Sequence, residues 1–135
     1  MSKVAALAEF LGCEGYEDSI ECDKYDEQLF SADGGEYLVL DDEESHDRFT
    51  TYVEDSLWAF NADFLSSMTG IDRKAFECLA SLCEDANDAV RSIIDATCGI
   101  EDFVDAVANS DGRGMMAGYD GEEHSVGDYY IYWMN

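Results

Sequence analysis

The apolar run Tyr37 to Leu40 passes directly into four carboxylates, Asp41, Asp42, Glu43 and Glu44, and no cation follows before Arg48. The same imbalance governs the whole chain. Thirty-two Asp and Glu oppose seven Lys and Arg, a formal net charge of −25, so most carboxylates have to stay in contact with water. Yet 47% of residues are apolar and 13% aromatic, enough for a folded core rather than a disordered chain. At 135 residues one domain, 1–135, is expected. Such a chain has to segregate its side chains. Apolar residues must recur at the helix or strand period, with acids filling the positions between them.

The recurrence is mostly helical. Ser2 is placed to cap a helix over residues 3–11, with Val4, Leu7 and Leu11 on one face and Gly12 as its stop. Residues 14–28 are acid-rich, and Tyr16, Ile20, Cys22 and Tyr25 there fit neither period. LFSADGGEYLVL reads as a hairpin, with Asp33-Gly34-Gly35 as the turn and Glu36 to Leu40 as a strand. Asp41 or Asp42 then caps a helix with the stripe Phe49, Tyr52, Val53, Leu57 and Phe60, in a segment that Gly70 ends. Asp72 caps the next, with Phe76, Leu79, Ala80 and Cys83 inward. Further helices are predicted over 84–97, through Val90, Ile93 and Ile94, and over 100–108, through Phe103 and Val107. The glycine-rich C-terminal stretch, ending in DYYIYWMN, reads as one or two antiparallel strands. The predicted class is α+β, a helix-rich single domain packed on a small antiparallel sheet.

The sign of the charge selects partners. Nucleic-acid affinity comes largely from Lys and Arg displacing counterions, so direct binding of DNA or RNA, or of an anionic membrane, is not expected. Cations and basic proteins are attracted instead. No window approaches a membrane span, and the apolar stretch in MSKVAALAEFLG is too short, and too interrupted by Glu9, for a signal peptide. The five cysteines, Cys13, Cys22, Cys78, Cys83 and Cys98, are then expected to be reduced and mostly buried, in a cytoplasmic protein.

Specific chemistry finds little support. An EF-hand loop alternates Asp or Asn around a central Gly, and DDEESHDRF has neither feature. SDGRGMMAGYDGEEH offers Asp111, Asp120, Glu122 and Glu123, but sets Arg113 among them, where pairing with nearby acids is expected. Cys78, Cys83 and Cys98 fall in helical segments and read as core residues rather than zinc ligands. There are only two histidines, and no nucleophile elbow, phosphate loop or dinucleotide fingerprint. An enzyme is not expected, nor is a metal or a cofactor.

What remains is the surface itself. Fifteen acids between Glu9 and Asp47 face the single Lys24, more than helix dipoles need. Candidate partner-binding residues are Glu14, Glu17, Asp18, Asp41, Asp42, Glu43, Glu44, Asp47, Asp120, Glu122 and Glu123. Tyr129 and Trp133, from one face of the last strand, join them as an apolar anchor. Duplex DNA carries one charge per about 1.7 Å, so the net charge matches that of roughly a dozen base pairs. A homodimer is compatible with the same pattern.

The tail SDGRGMMAGYDGEEHSVGDYYIYWMN, with SLWAFNADFL at residues 56–65, resembles short phage-encoded proteins. Size, acidity and layout are similar to the small phage-encoded anti-defence proteins, the anti-CRISPR and anti-restriction DNA mimics. The resemblance implies an inhibitor in the cytoplasm of an infected bacterial host. Its partner would be a basic nucleic-acid-binding protein, a Cas effector or a restriction enzyme. The alternatives are a cation- or calcium-binding module and a halophile-adapted acidic domain.

Overall fold

Six α-helices and one five-stranded antiparallel sheet make up the α+β fold of the computed structural model, which describes all 135 residues. The chain divides into two compact units, Met1–Arg48 with Asp111–Asn135, and Phe49–Ser110.

The first unit contains α1 (Lys3–Leu11), β1 (Glu21–Cys22), β2 (Leu29–Ala32), β3 (Gly35–Leu40), the start of α2 (Asp42–Asp55), β4 (Glu123–Val126) and β5 (Tyr129–Trp133). Both ends of α1 form as expected: Ser2 Oγ accepts the Ala5 N–H at 3.1 Å, and Gly12 closes the helix at φ 71°. The sheet order is β1-β2-β3-β5-β4, so the two most apolar strands lie at its centre. Tyr37 faces Trp133 and Val39 faces Ile131 across β3 and β5. With Leu7 and Ala8 of α1 and Ile20, Phe30 and Ala32, they make the core of this unit. Each fully buried side chain of Leu or Ile size contributes about 1.5–3 kcal/mol.

The hairpin turn is tighter than its sequence suggests. Asp33 (φ 49°) and Gly34 (φ 80°) complete it alone, as a two-residue turn matched to strand twist. Gly35 already belongs to β3, and a Cβ there would lie 2.9 Å from the Tyr37 hydroxyl. The unassigned residues 14–28 form only a 3₁₀ turn at Glu17–Ser19 and the short β1 before their final loop.

The second unit holds the rest of α2, a 3₁₀ turn at Leu57–Ala59, α3 (Ala62–Thr69), α4 (Arg73–Ala80), α5 (Asn87–Ala96) and α6 (Ile100–Ser110). Phe60, Phe64 and Phe103 meet as a cluster of three rings, with Phe103 5.4 Å from each of the others. The cap on Asp72 is present, its carboxylate accepting the Lys74 N–H at 2.8 Å.

Four expectations fail here. The apolar stripe from Phe49 to Phe60 does not lie on one continuous helix. Asn87 breaks it from a distance: its side chain donates to Glu54 O at 2.7 Å and accepts the Trp58 N–H at 3.2 Å. Asn61 then starts α3 by accepting the Asp63 N–H at 2.7 Å. Tyr52, expected inward, is 39% exposed. Cys83 is exposed at φ 54°, and Cys83–Ala86 forms a 3₁₀ turn, so α5 begins at Asn87 rather than near Glu84. Nor are the cysteines mostly buried: Cys22, Cys78 and Cys83 are exposed, and Cys13 and Cys98 are half-buried.

Because Asn87 serves two backbone groups where α2 ends, Asn87→Ala is expected to cost about 1–3 kcal/mol. Urea unfolding should show a lower midpoint with an unchanged slope.

Candidate functional site

The acidic run after β3 is largely engaged within its own unit. Asp41 Oδ1 accepts the Glu44 N–H at 2.8 Å, and Glu44 Oε1 accepts the Asp41 N–H at 3.0 Å. This reciprocal pair is a capping box, which satisfies donors at the start of α2. Glu44 also takes Lys3 Nζ at 2.8 Å and Gln28 Nε2 at 2.8 Å. Asp42 meets Arg113 at 3.0 Å. Glu43 is exposed and has no ion pair. Three acids of the four thus have structural partners.

Two further clusters tie the unit together. Arg48 donates to Gln28 Oε1 at 2.8 Å and to Asp26. Partial burial opposes the Asp26 charge, but Arg48 and the Gln28 N–H outweigh it and hold the carboxyl below its usual range. On the other side, Arg113 Nε donates to Glu123 Oε2 at 2.8 Å, and its guanidinium lies 4.7 Å over the Tyr130 ring. Tyr132, fully buried, donates its hydroxyl to the same Glu123 carboxylate at 2.5 Å. Burial raises the Tyr132 pKa and the Glu123 charge raises it further, so this hydroxyl remains a donor at neutral pH. Burial opposes the Arg113 charge, yet Glu123 and Asp42 more than compensate. The Ser45 hydroxyl is buried without a hydrogen-bond partner.

The remaining candidates are distributed rather than gathered. Glu14, Asp18 and Asp47 are exposed without an ion pair, and Glu17 is half-buried in its 3₁₀ turn. Glu123 belongs to the Arg113 cluster instead of the open surface. Tyr129 and Trp133 are half-buried against the α1-side core, so neither stands free as an anchor. Asp120, Glu122 and His124 each bring one donor atom to within 4.8 Å of the others, a mixed carboxylate and imidazole set of the kind divalent ions use. His124 Nε2 lies 2.7 Å from Asp120 Oδ2. Partial burial works against the Asp120 charge, but His124 and the Glu122 N–H hold its carboxyl low.

Sequence reasoning missed Tyr119, which is 62% exposed and stacked on Trp133 at 3.9 Å. It also missed His124 beside Asp120. The i,i+4 spacing of that pair was visible, but its closeness depends on the turn that carries Gly121 at φ 69°. The cysteines do not supply a metal-binding group of three. The chain matches no protein-family model, no curated protein and no solved structure.

The capping box yields a test with a definite sign. Partial burial works against the Glu44 charge; the Asp41 N–H, Lys3 and Gln28 outweigh it and hold its pKa below the ordinary 4.5. The stability this depression contributes is present above the unfolded pKa and is lost as pH falls through the folded one. Glu44→Gln should therefore cost on the order of 1 kcal/mol at pH 7. Urea titrations at decreasing pH should show the gap from the parent protein closing below the unfolded carboxyl's pKa.

Proposed function

We propose that this protein occupies the basic nucleic-acid-binding cleft of a bacterial defence enzyme, a Cas effector or a restriction enzyme, in place of DNA or RNA. The observation that carries the reading is the surplus of exposed carboxylates without cations, Glu14, Asp18, Glu43 and Asp47 among them, on a unit with its own apolar core. Ion pairs and the capping box engage Asp41, Asp42, Glu44 and Glu123, whereas no cation pairs with these four. A surface of one sign raises the encounter rate with an oppositely charged cleft and makes the complex salt-sensitive. The protein acts by binding, without catalysis or a cofactor, in the cytoplasm of the infected host. No helix is long and apolar enough to cross a membrane.

A second reading, cation binding, rests on Asp120, Glu122 and His124. Their three donors fall short of the six to eight oxygens that calcium takes, and a nitrogen donor favours a transition ion. This local cluster leaves the acids at Glu14, Asp18, Glu43 and Asp47 unexplained.

The test uses purified Cas and restriction nucleases at low ionic strength, with duplex DNA as competitor. One of them should bind the protein in competition with DNA. Joint substitution of Glu14, Asp18, Glu43 and Asp47 by Lys should weaken that binding by about tenfold or more while the fold is kept. Absence of binding to every nuclease at low salt, or binding that DNA never displaces, overturns the proposal.

A further inference from the structure

Tyr119 is the outermost ring in a stack of three. Its ring lies 3.9 Å from Trp133 at 22°, and Trp133 lies 5.5 Å from Tyr37 at 29°. The sheet builds the inner pair, since Tyr37 and Trp133 face each other in the β3–β5 register. The outer ring is held by its own backbone: the Tyr119 N–H donates to Trp133 O at 3.0 Å. Gly118 permits this close approach, because a Cβ there would lie 3.1 Å from Met134 O. With one face covered by Trp133, Tyr119 still keeps 62% of its surface exposed. Its opposite face is therefore open to solvent.

Negative charge converges on the same stack. Asp120 follows Tyr119 in the chain, and Asp33 sits at the tip of the β2–β3 hairpin. Burial raises the Tyr37 pKa, and the negative charges of Asp33 and Asp120 raise it further. The molecule also contains a filled version of this arrangement. Arg113 lies 4.7 Å over the Tyr130 ring while Asp42 and Glu123 take its nitrogens. Tyr119 offers an open ring face next to Asp120 in the chain, but the two cations that lie over rings, Lys24 and Arg113, cover Tyr25 and Tyr130 instead.

We propose that Tyr119, backed by Trp133 and followed in the chain by Asp120, seats an arginine side chain of the protein partner. Guanidinium is favoured over ammonium because it is planar, stacks on an aromatic face and is more weakly hydrated. Arginines in nucleic-acid clefts stack on bases and contact phosphates. Stacked rings with carboxylates beside them present the same combination of flat surface and anion. The inference rests on the reading of the protein as a cleft-occupying inhibitor, and it assigns a distinct role to one exposed ring.

The probes are octa-arginine and octa-lysine, equal in charge, titrated into the ¹⁵N-labelled full chain at about 0.15 M ionic strength. Trp58→Phe assigns the two indole N–H resonances. Octa-arginine should bind roughly threefold or more tightly than octa-lysine and shift the Trp133 indole resonance. Tyr119→Ala should remove both the preference and the shift, whereas Tyr119→Phe should keep them. Equal binding of the two peptides by the parent protein, or a preference that survives in Tyr119→Ala, overturns the arginine seat. A second arm separates this from the broader reading. If Tyr119→Ala leaves both the arginine preference and DNA-competed nuclease binding intact, the seat falls and cleft occupancy stands. If the preference depends on Tyr119 but DNA never competes, cleft occupancy falls and the arginine seat stands.

Discussion

Seven cations have to serve a chain with 32 carboxylates, and their placement decides which elements can close on one another. Lys3 of α1 reaches Glu44 at the start of α2, and Arg48 of α2 reaches Asp26 in the loop before β2. Arg113 joins the first turn of α2 to Glu123 on β4. In the second unit, Arg91 of α5 holds Glu54 near the end of α2. All of these pairs but Arg113–Glu123 link residues more than twenty positions apart. An exposed ion pair adds about 0–1 kcal/mol at most, so the count of pairs matters less than their position. Arg113 is the most sheltered of the arginines, with its side chain 17% exposed, and it also covers the Tyr130 ring. The electrostatics are therefore local at the joints and unbalanced elsewhere.

That division explains how an apolar core survives beside so much like charge. The strongest repulsion among the first residues of α2 is offset where it would be worst, by Lys3 and Arg113 and by the backbone donors of the helix start. Exposed acids farther away repel through water and salt, where charges separated by more than about 10 Å are largely screened. Beneath them, Leu7, Val39 and Ile131 are completely removed from solvent. The fold tolerates the surplus because little of it enters the interior.

Local signals in the sequence were reliable where the chemistry was local. Ser2 and Gly12 define α1, Asp72 starts α4, and Asp33-Gly34 turns the hairpin, because each acts within a few residues of itself. The break after α2 was not legible, since Asn87 makes it from more than thirty positions away. The Asp41–Glu44 run looked like surplus charge, yet its main partners, Lys3, Gln28 and Arg113, come from elsewhere in the chain. Trp133 was recognised as an aromatic of interest, but the ring that covers it comes from a glycine-rich loop whose path the sequence does not specify. Glu14, Asp18, Glu43 and Asp47 could not be told in sequence from neighbours such as Asp42 and Glu44, because whether an acid meets a cation depends on tertiary geometry.

We propose that this acidity serves a partner rather than adaptation to concentrated salt. A halophilic surface depends on molar salt to relieve its repulsion, whereas a protein with neutralised joints and a separate apolar core is expected to stay folded without it. The most direct measurement is the unfolding free energy followed from molar sodium chloride down to about 0.01 M, where the Debye length reaches about 30 Å. The expected result is a cooperative folded state throughout, with only a modest loss of stability at the lowest salt. Unfolding on dilution into low salt would contradict the claim and assign the carboxylates to halophilic adaptation.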